Sequence, residues 1–288
     1  MTSMKLALVA YPKMAARHPA VAALIFLLAV RLIWEGVVEK RVSQIVAYSI
    51  VIALSVLITD TFTLWQGLRN QPVPVRHPQR EVALAGVLFF FSMIALLQLF
   101  GELPRTHSIA SQGFLNLLRL AVIFNIPLAA LLLSLKYTYS DLGFRWRGIV
   151  LVPLIVFCFG LSSMVIRHSS ITWAGRLFST AFARYTLFVG LLQSALPEEF
   201  FRWVWQTRLA TWMKNRATGW LAASVLWAAL HGPMQYAGSP SHSIAQTAVG
   251  LLNTLSIGLL WGYITVRTQS LIPSMIIHAT NIWGLQNL

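Results

Sequence analysis

The chain has 288 residues, of which 57% are hydrophobic and only 10% charged, with a formal net charge of +14. A water-soluble domain cannot hide that much apolar surface, so the composition excludes one and makes lipid the solvent. Nor is the basic balance a nucleic-acid footprint: Lys and Arg fall mostly in short loops between apolar runs, the pattern of membrane topology.

The N-terminus, Met1 to Arg17, is basic with a short apolar patch. The apolar run after it is long and lacks a cleavage site, so it reads as a retained first span. Segments of about 20 apolar residues between polar breaks mark the candidate spans. In chain order they are 19–38, 42–68, 81–100, 114–135, 147–166, 176–212, 219–232, 243–266 and 271–287. Backbone polar groups in hydrocarbon must bond within their own segment, so the spans are helices. The expectation is an all-α, polytopic transmembrane bundle of eight or nine spans.

With nine spans and the N-terminus inside, the inside loops carry Lys5, Lys13, Arg17, Arg69, Arg76, Arg80, Lys136, Arg145, Arg147, Arg208, Lys214, Arg216 and Arg267. The outside loops carry only Lys40, Arg41, Arg105 and Arg167. That asymmetry predicts a cytoplasmic N-terminus and points to the cell membrane. The 69–80 loop, with Pro72, Pro74 and Pro78, is the candidate internal linker. Cys158, the sole cysteine, lies in an apolar run and reads as a small buried hydrophobe.

Acidic residues are scarce, and two of them, Glu198 and Glu199, are adjacent inside a long apolar segment. Carboxylates in a membrane helix are costly unless paired, protonated or facing water. Arg202 follows at helical spacing and reaches either one. Among the histidines, only His231 and His278 fall within spans, on the next helix and the last. At about 1.5 Å per residue, Glu198, His231 and His278 lie roughly 20, 18 and 12 Å from the basic face. Tilt brings them to one layer, provided that Pro197 leaves its helix unbroken. A carboxylate and an imidazole around one water make a general base. A second histidine with an amide, His278 with Asn281, supplies donors for an oxyanion.

These residues resemble the CPBP family of membrane peptidases, the CAAX proteases and bacteriocin-processing enzymes, which includes the type II CAAX prenyl endopeptidase. Pro197-Glu198-Glu199-Phe200-Phe201-Arg202, followed by Trp203-Val204-Trp205-Gln206, is similar to the family's double-Glu/Arg motif. Trp227-Ala228-Ala229-Leu230-His231 resembles its aromatic-xxx-His motif, and His278-Ala279-Thr280-Asn281 its His/Asn motif. Gly258, Gly262, Ser270, Leu271 and Pro273 stand where the family has a Gly-rich helix and a Ser-Leu turn. Asp141-Leu142-Gly143-Phe144 looks like the start of its core. The resemblance covers about residues 140–288 and implies peptide cleavage near the membrane by Glu- and His-activated water. Residue by residue, it implies Glu198 as base, His231 as its partner, His278 and Asn281 as oxyanion donors, and Glu199 and Arg202 in support, with no cofactor. The family usually separates its second Glu from Arg by three residues; here the separation is two. The base is therefore Glu198 or Glu199, with Glu198 preferred. Trp203 also replaces the family's usual Gly, and Asn281 lies three rather than four residues after His278.

The chain is accordingly divided into an N-terminal membrane region of unassigned role, 1–135, and a CPBP-like catalytic core, 136–288. The expected partners are the bilayer and a peptide or protein substrate at the membrane, with no nucleic acid. Competing readings are a non-catalytic scaffold that binds another membrane protein, a Zn site built from Glu198, His231 and His278, and a proton-coupled transporter. The last is disfavoured because the acidic and His residues occupy one half only. Structural roles are expected elsewhere. Gly258 and Gly262 let helices approach. Arg31 and Glu35 are spaced as a helical pair. Asp60 is expected to meet headgroups or one of Arg31, Arg119 and Arg184. Trp203, Trp205, Trp212 and Trp220 are expected in an interfacial belt, with Trp203, Trp205 and Trp227 as candidate walls of a substrate groove.

Overall fold

The computed structural model describes residues 3–38, 40, 42–67, 73–102, 120–167, 179, 180, 183, 185–239 and 243–280. Among them there is no strand, and most of them lie in helices. In order these are α1 (Ser3–Arg17), α2 (Pro19–Val38), α3 (Val42–Trp65), α4 (Pro78–Glu102), α5 (Ile126–Ser134) and α6 (Leu151–Arg167). They are followed by α7 (Leu196–Trp212), α8 (Arg216–Leu230), α9 (Gly232–Gly238), α10 (Ile244–Thr268) and α11 (Ile272–His278). Two π-helical stretches, Leu120–Asn125 and Tyr185–Ala195, run directly into α5 and α7.

Among the described residues, four helices are long and apolar enough to cross a membrane: Pro19–Val38, Ile45–Trp65, Pro78–Ala95 and Ile244–Thr268. Leu120–Ser134 and Leu151–Ser162 are shorter apolar helices. Large apolar side chains such as Phe26, Trp34, Phe90 and Phe157 point outward from these helices. In water such a surface would drive aggregation, whereas in lipid it is the solvated face. The chain is thus an integral membrane protein. The sequence anticipated neither the helical character of residues 3–17 nor the short α9 between His231 and α10.

Two ion pairs, one of them fully buried, tie early helices to later ones. Arg208 on α7 is fully buried, and its Nε lies 2.9 Å from Oε2 of Glu81 on α4. The other Glu81 oxygen accepts from the Tyr137 hydroxyl at 2.6 Å and from the His77 N–H at 3.0 Å. Burial, then the hydrogen bond it donates to Glu81, pushes the Tyr137 phenol up to about 12. In the second cluster, Arg267 of α10 pairs with Asp60 of α3 at 2.6 Å, and the Tyr263 hydroxyl contacts both Asp60 oxygens at 2.7 Å. These pairs correct the sequence reading, which left Arg208 and Arg267 as loop cations and sent Asp60 to headgroups or to another arginine. The carboxylates come from helices far away in the chain, and a charge at the end of an apolar helix is stabilised more by a fixed counter-ion than by a crowded interface. Arg31 and Glu35 do form the expected pair, at 2.7 Å, and Arg31 also donates to Asn253 on α10. Arg119 and Arg184 lie outside the described residues.

The tryptophans also depart from expectation. Trp203 and Trp205 are buried rather than interfacial; only Trp212 of the expected belt is well exposed, while Trp220 is half-buried and donates to the Leu259 carbonyl at 3.0 Å. The cause for Trp203 is local. Gly143 has φ of +93°, a conformation that favours glycine, and a Cβ there would meet the Trp203 ring at 2.8 Å. Trp203 Nε1 donates to the Asp141 carbonyl at 3.2 Å, while the Gly143 carbonyl accepts from the Leu271 N–H at 3.0 Å. The Asp141–Phe144 loop therefore clasps α7 to the turn before α11, which fixes the height of His278 against Glu198. Cys158 is a free, half-buried thiol on α6.

Candidate active site

The site is assembled from three places: the first turn of α7, the end of α8 and the end of α11. Pro197 occupies the first turn of α7, where a missing N–H breaks no bond within the α-helix. Ala195, the residue before α7, keeps helical angles (φ −65°, ψ −41°), so the π-helical stretch passes into α7 without a break. The condition placed on Pro197 by the sequence is met. The Asn125 amide donates to the Pro197 carbonyl at 3.0 Å, tying the first π-helical segment to the first turn of α7. π-Helical turns often occur at functional sites, since the wider turn re-aims side chains.

Glu198, Glu199, Arg202 and His278 are buried, and His231 keeps 16% of its side chain exposed. His231 thus forms the open side of the cluster. His231 Nε2 lies 3.5 Å and His278 Nε2 3.9 Å from the same Glu198 oxygen, Oε2. Trp227 Nε1 donates to that oxygen at 3.1 Å, and the Ser194 hydroxyl donates to Oε1 at 2.8 Å. Both carboxylate oxygens are therefore held, and the rotamer of Glu198 is fixed from two helices.

Glu199 faces another way. It forms a buried ion pair with Arg202 and lies 2.9 Å from His278 Nδ1. Arg202 also donates to the Gly258 carbonyl at 3.1 Å, and its guanidinium lies over the Trp227 ring at 5.3 Å. The fixed partners settle the histidine tautomers. His231 Nδ1 lies 3.0 Å from the Trp227 carbonyl, which can only accept, so Nδ1 carries the proton and Nε2 is turned to Glu198. His278 Nδ1 donates to the Glu199 carboxylate in the same way, and its ring stacks on Trp261 at 5.9 Å. Each histidine thus presents Nε2 to one carboxylate oxygen.

Gly258 and Gly262 on α10 are packing residues. A Cβ on Gly258 would meet the Trp227 ring at 2.5 Å, and one on Gly262 would meet Trp220 at 2.9 Å. Gly258→Ala should lower stability by about 1–3 kcal/mol through overpacking and push Trp227 off Glu198. Thermal unfolding in detergent, followed by Trp fluorescence, measures this.

The structure brings together Glu198, Glu199, Arg202, His231 and His278. Asn281 lies outside the described residues. Sequence reasoning did not assign Ser194 or the Trp227 indole as holders of Glu198. Helical spacing offered a signal for both, because Ser194 is four residues before Glu198 and Trp227 four before His231. Among the described residues, no group of three His, Cys, Asp or Glu side chains is arranged to hold a metal ion. Beside Pro197, an apolar cleft of about 240 Å³ is lined by Ile126, Leu133, Leu142, Phe144, Leu196 and Phe200 among others.

Residues 179–283 match the family model described as Type II CAAX prenyl endopeptidase Rce1-like. No curated protein and no solved structure matches the chain. The matched region begins before the second π-helical stretch and contains Glu198, His231 and His278, the same residues that the geometry gathers. Over residues 179–283 the chain is thus similar to the Rce1-like type II CAAX prenyl endopeptidases, a family of proteases.

Proposed function

We propose that this protein is an intramembrane endopeptidase of the glutamate type, which hydrolyses a peptide bond of a membrane-associated protein or peptide. The observation that carries the reading is the convergence of two imidazole Nε2 atoms, at 3.5 and 3.9 Å, on one fixed oxygen of Glu198. Water held between Glu198 Oε2 and His231 Nε2 gives up a proton to this pair. Its oxygen bonds to the scissile carbonyl carbon, and the carbonyl π electrons move onto oxygen. Collapse of that oxyanion expels the amine, which takes the proton back.

Glu199 is the supporting carboxylate. Glu198, Glu199 and Arg202 leave one net negative charge in a buried site, and a proton on a histidine balances it. With Nδ1 held by Glu199, His278 turns its Nε2 into the site. His278, together with Asn281, then stabilises the oxyanion. Glu198 is favoured over Glu199 as base because Arg202 occupies Glu199, while Glu198 faces His231 on the open side.

In this reading the helices complete a bundle of eight or nine spans, with the N-terminus cytoplasmic in the cell membrane. Residues 136–288 form the catalytic core, and residues 1–135 pack against it through the Glu81 and Asp60 pairs. The second reading, a Zn peptidase using Glu198, His231 and His278, has the right donor types but requires these side chains to move, since as placed they are not arranged to hold a metal ion. The test is cleavage of prenylated and unprenylated peptides by the purified full chain in nanodiscs, in ¹⁸O-labelled water with a chelator present. Undiminished cleavage that places one label in the new carboxylate supports the glutamate mechanism. Loss of cleavage that is restored by added Zn²⁺ would replace it with the metal reading.

A further inference from the structure

The chain has no Asp or Glu before Glu35, and α1 carries three cations, Lys5, Lys13 and Arg17. All three are exposed, and among the described residues no ion pair or side-chain hydrogen bond engages them. At 3.6 residues per turn they fall within an arc of about 120°. Leu6 and Val9 lie in the same arc and are 47% and 55% exposed, with Met4 and Leu8, also exposed, at its border. One side of α1 thus interleaves cations with large apolar side chains. The opposite side holds the helix to the bundle: Ala7 is buried, and half-buried Tyr11 lies beside Asp60 of α3.

Three features set the depth of α1. Arg17 stands just before the span Pro19–Val38. Bonds from the His18 N–H to the Met14 carbonyl and from the Ala22 N–H to the His18 carbonyl carry the helix from α1 into α2. Tyr11 meets the Asp60–Arg267 pair, which lies in the last turns of α3 and α10. Pro12 has no N–H to give the Leu8 carbonyl, a group that hydrocarbon would leave unsatisfied. Water alone would leave Leu6, Leu8 and Val9 bare, and hydrocarbon alone would strand the cations. The boundary between headgroups and acyl chains suits both, because long Lys and Arg stems reach up to the phosphates.

We propose that α1 seats on the bilayer surface and binds the headgroups of anionic phospholipid through Lys5, Lys13 and Arg17. Leu6, Leu8 and Val9 enter the acyl boundary between them. The seat lies outside residues 179–283 and does not depend on the chemistry of the Glu198 cluster.

Hydrogen exchange of the α1 amides tests the proposal, read by mass spectrometry on the full chain in nanodiscs. Discs of phosphatidylcholine alone are compared with discs of phosphatidylcholine mixed with phosphatidylglycerol. Exchange over residues 3–17 should slow by about tenfold to a hundredfold in the anionic discs, since each surface cation contributes roughly a factor of five. The Lys5→Gln/Lys13→Gln/Arg17→Gln variant should lose that slowing. Its three altered side chains are exposed, so its α3 exchange and its unfolding in phosphatidylcholine should match wild type, which separates a lost seat from a lost fold. Equal exchange in the two discs, or slowing kept by the variant, would overturn the proposal. Inorganic phosphate or polyglutamate, added to phosphatidylcholine discs, should leave α1 unchanged. Slowing by either that equals the effect of phosphatidylglycerol would overturn the lipid seat in favour of a soluble anion or an acidic protein.

Discussion

Glu198→Gln should reduce peptide cleavage by about 10²- to 10⁴-fold, the range that a general base contributes. The amide keeps the shape of the side chain; its oxygen can accept from Trp227 and its NH2 can donate to the Ser194 hydroxyl, so the loss measures the missing proton acceptor rather than a collapsed site. Glu199→Gln separates the two carboxylates. It leaves Arg202 and His278 without their anion in a buried setting, so it should lower the thermal midpoint as well as activity. If Glu198 is the base, Glu198→Gln loses activity at nearly unchanged stability, whereas Glu199→Gln loses both together. Initial rates and thermal unfolding of the two proteins in the same nanodiscs distinguish them. The reverse pattern would hand the role of base to Glu199.

Removing Glu81 should destabilise the protein by about 3–5 kcal/mol, the typical cost of leaving one buried charge without its partner. Arg208 is fully buried, and Glu81 is its carboxylate; Tyr137 and the His77 N–H would lose an acceptor at the same time. Glu81→Leu combined with Arg208→Met should recover most of that loss, because the pair's own desolvation cost disappears with it. Unfolding by denaturant in mixed micelles provides the measurement. A double variant no better than the single would mean that Tyr137 and His77, not Arg208, carry the role of Glu81.

The site was more legible in the sequence than the framework around it. In a lipid-facing chain, any Glu or His inside an apolar run stands out, because leaving it there unpaired is expensive. Glu198, Glu199, His231 and His278 could be picked out on that ground alone, and helix rise placed three of them at compatible depths. Their holders were less visible. Ser194 and Trp227 are ordinary residues for an apolar helix, and only their four-residue offset from Glu198 and His231 hints at a role. The pairs Glu81–Arg208 and Asp60–Arg267 join helices far apart in the chain, and no local pattern specifies which helices become neighbours.

The same limit explains the tryptophans. A Trp near a helix end is usually interfacial, but Trp203 is drawn inward by the space at Gly143 and by the Asp141 carbonyl. Spans 19–38 and 42–68 could be read from length and apolarity, because lipid rather than a protein neighbour sets their composition. Residues 185–195 also read as a helix, but their π-helical winding has no signature in the order of apolar residues.

The most direct test of the central claim is cleavage of a membrane-associated peptide library by the wild-type chain in nanodiscs, scored beside Glu198→Gln protein of matched thermal stability. The account predicts discrete products from wild type and their near-complete loss in Glu198→Gln. Products formed at equal rates by both proteins would contradict it, because the Glu198 cluster would then not be where the peptide bond is cut.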